Sequence, residues 1–209
     1  MWALIEDNTI TKIINNPKAM VIGDTQYSRN IFSFRWSNAE REAIGIYEVV
    51  FNNTKKKDEA YYINTNHTFT YDADAGTVTA TYGDATAKAH ADTLYTEDDE
   101  DNGLGTEGEV ATRGLKYNLI QTVKSQAASI LQDTDWYIVR KADADTDVPS
   151  AITTFRAAVR TKGAAMETLI TNASNTPAIE TLYTYVNTAD EGDPVVMERP
   201  LGVFPVLES

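Results

Sequence analysis

The acidic segment between residues 97 and 109 comes nearest to a metal site in its residue types. Calcium-binding loops place oxygen ligands at the first, third and fifth positions, a glycine at the sixth and a bidentate glutamate at the twelfth. If Asp98 is the first position, then Glu100, Asn102, Gly103 and Glu109 occupy the other four. Glu100 is one methylene longer than the usual third ligand. We therefore expect a solvated acidic loop, with calcium binding as the alternative.

Other sites of chemistry are poorly supported. The chain has no cysteine and two histidines, His67 at the start of a strand and His90 in a polar segment, and two imidazoles alone make a poor zinc site. It contains no G-x-S-x-G elbow and no phosphate-binding glycine motif, and the carboxylates around Gly103, Gly105 and Gly108 would repel phosphate. We therefore expect no catalytic residue, no cofactor and no metal, and we predict that the protein is not an enzyme.

Asp135 and Trp136 form the most distinctive pair of neighbouring residues. A large aromatic near a helix junction is usually core. We therefore predict that Asp135 closes a turn after one helix and that Trp136 fills the gap between helices, with a binding role for Trp136 as the alternative. We expect Arg140, Arg156 and Arg160 to form exposed ion pairs, each of which contributes little.

Charge and hydropathy limit the classes of partner. The net charge of the 209 residues is −13, and residues 72–109 hold eleven acidic side chains and one lysine. Such a surface repels nucleic acid and anionic membranes. We find no apolar run of the roughly 20 residues that a membrane span needs. We therefore expect a soluble protein that binds neither nucleic acid nor membrane, from a reducing compartment or a particle assembled inside a cell.

The elements that would position these residues indicate an α+β fold. Residues 1–85 are predicted to form an antiparallel β domain with one short helix, because short apolar runs recur between turn signals. The runs are Trp2 to Ile5, Ile10 to Ile14, Ala19 to Ile22, Asn30 to Phe34, Ile46 to Phe51 and Tyr61 to Ile63, followed by a hairpin over residues 67–83 with its turn at Asp74 to Gly76. The short helix should begin at a capping box formed by Ser37 and Glu40.

Three further segments follow the β domain. Residues 86–112 are acidic and glycine-rich and predict a linker. Residues 113–187 predict a helical hairpin or three-helix unit, with helices from about 115 to 131, from Ser150 past a possible kink at Gly163, and from Thr176 as N-cap. Residues 188–209 predict an extended, proline-spaced arm held against its own β domain or a neighbouring subunit.

The spacing of residues 126–160 also carries a family resemblance. The matching residues are Gln126, Ala127, Ala128, Leu131, Thr134, Asp135, Trp136, Pro149, Ile152, Phe155, Arg156, Val159 and Arg160. This pattern resembles the C-terminal helical segment of bacteriophage tail-fibre assembly and tail assembly chaperone-like proteins. The opening Trp2 to Ile5 and the pair Asn16 and Pro17 are similar to the openings of phage tail-associated proteins.

The resemblance implies a structural protein of the phage tail, baseplate or fibre-attachment region. Such a protein would be assembled in the host cytoplasm, would reside in the virion tail, and would bind other tail or fibre subunits, with an oligomer expected. The alternative is a tail-fibre assembly chaperone that is absent from the mature particle. The spacer between Trp136 and Pro149 is longer than in the chaperone pattern, and the C-terminal arm is additional, so a retained component is favoured over the chaperone.

Overall fold

The computed structural model describes residues 1–207, and the fold is α+β as predicted. The chain divides into two compact units, the first from Met1 to Thr86 and the second from Ala87 onward. The strands of the first unit are β1 (Trp2–Glu6), β2 (Thr9–Ile14), β3 (Met20–Ile22), β4 (Thr25–Tyr27), β5 (Ile46–Asn52), β6 (Tyr62–Ile63), β7 (His67–Asp72) and β8 (Thr77–Tyr82). The strand β9 (Thr86–Ala87) lies at the boundary between the units.

The first unit is built on a five-stranded sheet in the order β2-β1-β5-β8-β7. Three neighbouring pairs are antiparallel, but β5 and β8 run parallel, with Val49 opposite Val78 and Phe51 opposite Ala80. The sheet is therefore mainly antiparallel, as predicted, and the parallel pair of β5 and β8 is a departure from that prediction. Parallel neighbours need a crossover connection, and here the crossover is residues 53–76, which also contain β7.

Alternating side chains of this sheet pack on both of its faces. Ala3 and Ile5 on β1 lie in a cluster with Val78 and Ala80, and Leu4 between them lies in a second cluster with Ile46. Successive residues of a strand point to opposite faces. β1 is therefore buried on both sides, which explains its unbroken apolar sequence.

Two local predictions for the first unit are confirmed and one is wrong. The predicted hairpin is formed by β7 and β8, with Gly76 at φ +62° in its turn. The predicted capping box is present, since Ser37 and Glu40 exchange hydrogen bonds at the start of α1 (Asn38–Glu42). The predicted strand from Asn30 to Phe34 is instead a short 3-10 helix (Arg29–Phe32), whose residue Ile31 is buried.

The second unit is largely helical. It contains β10 (Thr93–Leu94), α2 (Glu97–Asp101), β11 (Val110–Thr112), α3 (Leu115–Gln132), α4 (Asp135–Ala144), α5 (Ser150–Asn172), α6 (Thr176–Tyr183), β12 (Val186–Asn187) and β13 (Met197–Glu198). Its core lies mainly between α3 and α5, where Val123, Met166 and Ile170 are buried together. None of the helices within residues 1–207 combines the length and the apolarity that crossing a membrane requires.

The helices starting near Leu115, Ser150 and Thr176 are confirmed, with two changes of detail. α5 is continuous through Gly163, and the space beside this residue would admit a methyl group at ordinary van der Waals distances. A Cβ atom at this position would lie 3.6 Å from the Phe204 ring and 3.8 Å from Ala127. The N-cap of α6 is Asn175 rather than Thr176, since the Asn175 side chain accepts from the N–H of Ala178. α4 was not predicted.

Residues 87–112 form part of the second unit rather than a linker. β10 and β11 pair as an antiparallel hairpin with α2 between them. The backbone carbonyls of Ala89 and His90 accept from the first N–H groups of α3, and the carbonyl of Lys88 accepts from the Thr176 hydroxyl. Free helix-end donors need such partners, so the segment caps α3. Composition alone did not reveal this role.

The predicted C-terminal arm packs on the helices of its own unit, whereas the sequence suggested the β domain or another subunit. Leu201 is buried with Val123 and Met166, and its N–H donates to the carbonyl of Leu182. The arm also contains the short strand β13, which pairs with β12. Residues 208 and 209 of the predicted arm lie outside the described residues.

Candidate functional site

The acidic segment is a structured hairpin in which two carboxylates, those of Asp99 and Glu100, accept local hydrogen bonds. The Asp99 carboxylate accepts from the backbone N–H of Thr96 at 2.9 Å and from its hydroxyl at 2.8 Å, and these two bonds lower the pKa of Asp99. The Glu100 carboxylate accepts from the N–H of Glu107 at 2.9 Å. These contacts fix the chain between β10 and β11.

The geometry does not assemble the calcium loop suggested by the sequence. Asp98 and Glu100 lie within α2, and the Asn102 side-chain nitrogen donates to the Asp98 carbonyl at 2.6 Å. Gly103 follows at φ +70°, and Glu109 lies just before β11. Within residues 1–207, no three histidine, aspartate or glutamate side chains are grouped so that they could hold a metal ion.

The two histidines occupy different structural settings. His67 on β7 lies among aromatic rings, with its centroid 4.1 Å from that of Tyr82 and 5.2 Å from that of Phe51. His90 belongs to the segment that caps α3, through its backbone carbonyl. The His67 ring therefore serves as part of an aromatic cluster of the first unit.

The residues singled out around position 135 meet at the junction of α3, α4 and α5. The Arg156 guanidinium reaches across from α5 and donates to the Leu131 carbonyl at 2.8 Å and to the Thr134 hydroxyl at 2.6 Å. It also pairs with the Asp135 carboxylate at 2.8 Å. Asp135 thus closes the turn, as predicted. The prediction of an exposed Arg156 is wrong, because the residue is only 6% exposed.

Trp136 lies on the surface and does not fill the gap between the helices. It lies in the first turn of α4 and is 50% exposed, and Val139 about one turn further along is 65% exposed. The Trp136 ring stacks on Tyr137 at 4.0 Å between centroids, and the Arg140 guanidinium lies 4.6 Å from the Trp136 ring. Ile138 is also exposed. We call these five residues, Trp136 to Arg140 without a break in sequence, the α4 patch.

The sequence interpretation missed the α4 patch because it assigned residues 137–148 to a spacer. A helix was signalled by Asp135 in the first turn and Lys141 in the last, since acidic and basic residues at these ends favour a helix. No residue of α4 is buried, so its apolar side chains make no buried core with the rest of the second unit.

A groove of about 420 Å³ lies between the start of α5 and the end of the arm. Its lining residues are Ser150, Ala151, Thr154, Phe155, Ala158, Pro205, Val206 and Leu207. No ionisable side chain is among them, so the groove offers apolar contact and hydroxyl groups.

Comparison of the chain with protein-family models, with curated proteins and with solved structures gave no match. The geometry described above and the resemblance carried by residues 126–160 are therefore the grounds on which a function is proposed.

Proposed function

We propose that this protein is a structural component of a bacteriophage tail, baseplate or fibre-attachment region and that it acts by docking on other tail or fibre subunits. It performs no catalysis, binds neither nucleic acid nor membrane, and resides in the virion after assembly in the host cytoplasm. The alternative is a tail-fibre assembly chaperone that leaves before the particle is complete.

The observation that carries this proposal is the α4 patch. Protein interfaces are enriched in tryptophan, tyrosine and arginine, and such residues supply most of the binding energy. Trp136, Tyr137 and Arg140 belong to these three types and pack against one another, and Ile138 and Val139 of the same helix are also exposed. Exposing these side chains to water is unfavourable, and a protein partner would cover them.

The junction beneath the patch supports the same role. Arg156 ties the turn before α4 to α5 through the Leu131 carbonyl, the Thr134 hydroxyl and the Asp135 carboxylate. A docking surface binds more tightly when it is held in place before the partner arrives. The first turn of α4, which carries Trp136, is held in this way.

The decisive experiment is quantitative mass spectrometry of purified particles from the phage that encodes the chain. We expect stoichiometric copies of the chain in the particle. Its complete absence from particles, together with its capture on free fibre subunits in the infected cell, would favour the chaperone. Absence from both would contradict both proposals.

A variant can then test the α4 patch. We expect the pair Trp136→Ser and Val139→Ser to reduce incorporation of the chain into particles at least tenfold, because loss of a buried aromatic anchor costs about 2 kcal/mol or more. The matched control is Phe34→Ser, which replaces a residue that is 94% exposed in the first unit. Equal loss of incorporation by the control would show that the α4 patch is not the docking surface.

A further inference from the structure

Two neighbouring grooves on the first unit share a basic lining. The first groove, of about 310 Å³, follows the chain from β2 to β3, and its lining includes Lys12, Asn15, Asn16, Lys18 and Met20. The second groove, of about 380 Å³, is lined by Pro17, Arg29, Asn30, Phe32 and Ser33. The consecutive residues Pro17 and Lys18 line one groove each, so the two grooves adjoin at this point. We call them together the basic track.

The floor of both grooves rests on one part of the core. Ile14, which also lines the first groove, is buried in a cluster with Leu4 and Ile46. Met20 of the first groove and Phe32 of the second pack against the same cluster. Because protein interiors are close-packed and change shape little, the two grooves keep a fixed position relative to each other.

The wall of the second groove is fixed by a buried side chain. The Arg41 guanidinium donates to the carbonyl of Ile31 at 2.8 Å and to that of Ser33 at 2.7 Å. These two bonds hold the 3-10 helix, which carries Arg29 and Phe32, against the rest of the first unit. A surface that is fixed before its ligand arrives loses little conformational entropy on binding. The basic track is therefore arranged before any ligand binds.

The charge of the basic track is opposite to that of the whole chain. Residues 12–35 contain four basic residues and one acidic residue, whereas the net charge of the chain is −13. Lys12, Lys18 and Arg29 are exposed, and none of them forms an ion pair within residues 1–207. By contrast, Lys55 and Lys56 of the same unit each have a carboxylate partner. The three cations of the basic track are therefore free to pair with the carboxylates of a ligand.

The asparagines of the basic track suit a peptide backbone. Asn15, Asn16 and Asn30 are exposed along the two grooves. A side-chain amide has both donor hydrogens and an acceptor oxygen, and it can therefore pair with the N–H and C=O groups of a peptide. An extended peptide that is not part of a sheet has such groups available along its whole length.

We propose that the basic track binds an extended acidic segment of a partner protein. Carboxylates of that segment pair with Lys12 and Lys18 in the first groove and with Arg29 in the second. Its backbone pairs with the asparagine amides, and its apolar side chains rest on Met20 and Phe32. The segment therefore carries at least two carboxylates that are separated by apolar or small residues.

The distribution of the cations favours such a segment over a small anion or a nucleic acid. Phosphate or sulfate would occupy one groove and leave the cations of the other unpaired. A nucleic acid would bring a row of phosphates close to a chain whose net charge is −13, and Phe32, the aromatic residue of the basic track, is partly buried and offers little surface for stacking a base. This inference goes beyond the proposed function and does not depend on it, because it concerns the first unit, whereas the α4 patch lies in the second.

The test uses the full chain and an array of fluorescein-labelled octapeptides. Each peptide carries two to four glutamates, spaced one to four residues apart among valine and serine, and fluorescence polarisation measures its Kd. We expect the triple variant Lys12→Gln, Lys18→Gln and Arg29→Gln to weaken the tightest-binding peptides about tenfold or more, because three ion pairs are lost together. Added salt should weaken the binding of these peptides to the wild-type chain, since it screens the same pairs.

The matched control is the triple variant Lys55→Gln, Lys56→Gln and Lys57→Gln. It changes the net charge of the first unit by the same amount and also replaces exposed side chains. We expect it to change the Kd less than about twofold, because these lysines line neither groove. Circular dichroism checks that both triple variants keep the Tm of the wild-type chain. An equal loss of affinity in the control would overturn the proposal, since binding would then follow net charge alone.

Two single variants ask whether the grooves act as one site. We expect Lys12→Gln and Arg29→Gln each to weaken the same widely spaced peptide about threefold, and peptides with closely spaced glutamates to respond to only one of the two variants. If no peptide in the array responds to both variants, the grooves do not form one track and the proposal is overturned.

Two further outcomes would also overturn the proposal. One is the absence of binding by every peptide of the array at millimolar protein. The other is binding of a short single-stranded oligonucleotide as tightly as the best peptide and with the same sensitivity to the triple variant Lys12→Gln, Lys18→Gln and Arg29→Gln. In that case the basic track would recognise anionic charge rather than an acidic peptide.

Discussion

Each unit buries one arginine, and the two guanidinium groups have different kinds of hydrogen-bond partner. In the first unit Arg41, 5% exposed, donates to the carbonyls of Ile31 and Ser33 and to the Asn38 side chain, with the Trp2 ring 4.5 Å from its guanidinium. Each of these partners is neutral. In the second unit Arg156 has the carboxylate of Asp135 as one of its partners.

The difference illustrates two ways in which a buried arginine can hold a loop against the rest of its unit. Arg41 holds the loop around the 3-10 helix through dipoles and an aromatic face. Arg156 holds the α3–α4 turn partly through an ion pair whose carboxylate is 55% exposed. Buried polar groups are costly when a partner is removed, and the cost is smaller when the group left behind can reach water. The Arg41 site should therefore be the more sensitive of the two.

The largest expected effect is that of Arg41→Met. This substitution leaves the backbone carbonyls of Ile31 and Ser33 without their hydrogen-bond donor. We therefore expect the free energy of unfolding to fall by about 3–4 kcal/mol. Urea denaturation followed by circular dichroism measures this change. A loss below that of Arg156→Met would contradict the comparison of the two sites.

Arg156→Met comes next, with an expected loss of about 2–3 kcal/mol. The Thr134 hydroxyl and the Leu131 carbonyl lose a donor, while Asp135 turns towards water. The same denaturation experiment measures the loss. Leu131, Thr134 and Asp135, the partners of Arg156, all lie in the second unit. A loss of stability confined to the first unit would therefore contradict this expectation.

Asp135→Asn should cost less, about 0.5–1 kcal/mol, because the ion pair is half exposed and screened by solvent. Thr134 and Leu131 still accept from Arg156 in this variant. A double-mutant cycle with Arg156→Met isolates the coupling between the two side chains. A coupling well above 1 kcal/mol would show that the pair behaves as a buried one.

The smallest effect concerns an exposed pair, Arg113 and Asp92, at 2.6 Å. The N–H of Gly114 and the Arg113 side chain lower the pKa of Asp92 from its ordinary 3.8. A carboxyl group whose pKa is lower in the folded state stabilises the fold. This stabilisation is fully present above the pKa of the unfolded state and is lost as the pH falls through the pKa of the folded state. Asp92→Asn should therefore flatten the fall of Tm as the pH drops below about 4. Parallel melting curves for the two proteins would exclude this contribution.

Local signals in the sequence were sufficient for several elements. Ser37 with Glu40, the alternation around Gly76, and the apolar stripe of α3 each specify structure through neighbours close in sequence. These predictions held because the hydrogen bonds that form the capping box and the hairpin turn lie within a few residues, and because the stripe has a regular period.

The failures involve contacts between distant residues. The parallel pairing of Val49 with Val78, the capping of α3 by residues 89 and 90, and the burial of Arg156 depend on chain geometry that spacing does not encode. Trp136 was assigned to the core on residue type alone, and its exposure is set by how little α4 packs on its surroundings. The sequence therefore indicated the candidate docking surface only through the alternative binding role of Trp136.

The parallel neighbours in the first sheet also set the order in which that unit can form during synthesis. The hairpin of β1 and β2 is complete once residue 14 has left the ribosome, and β5 can join it after residue 52. β7 hydrogen-bonds to the sheet through β8, which ends at Tyr82. The sheet edge on β5 consequently stays open while some thirty more residues are translated, a period in which a nascent chain is most exposed to wrong pairing.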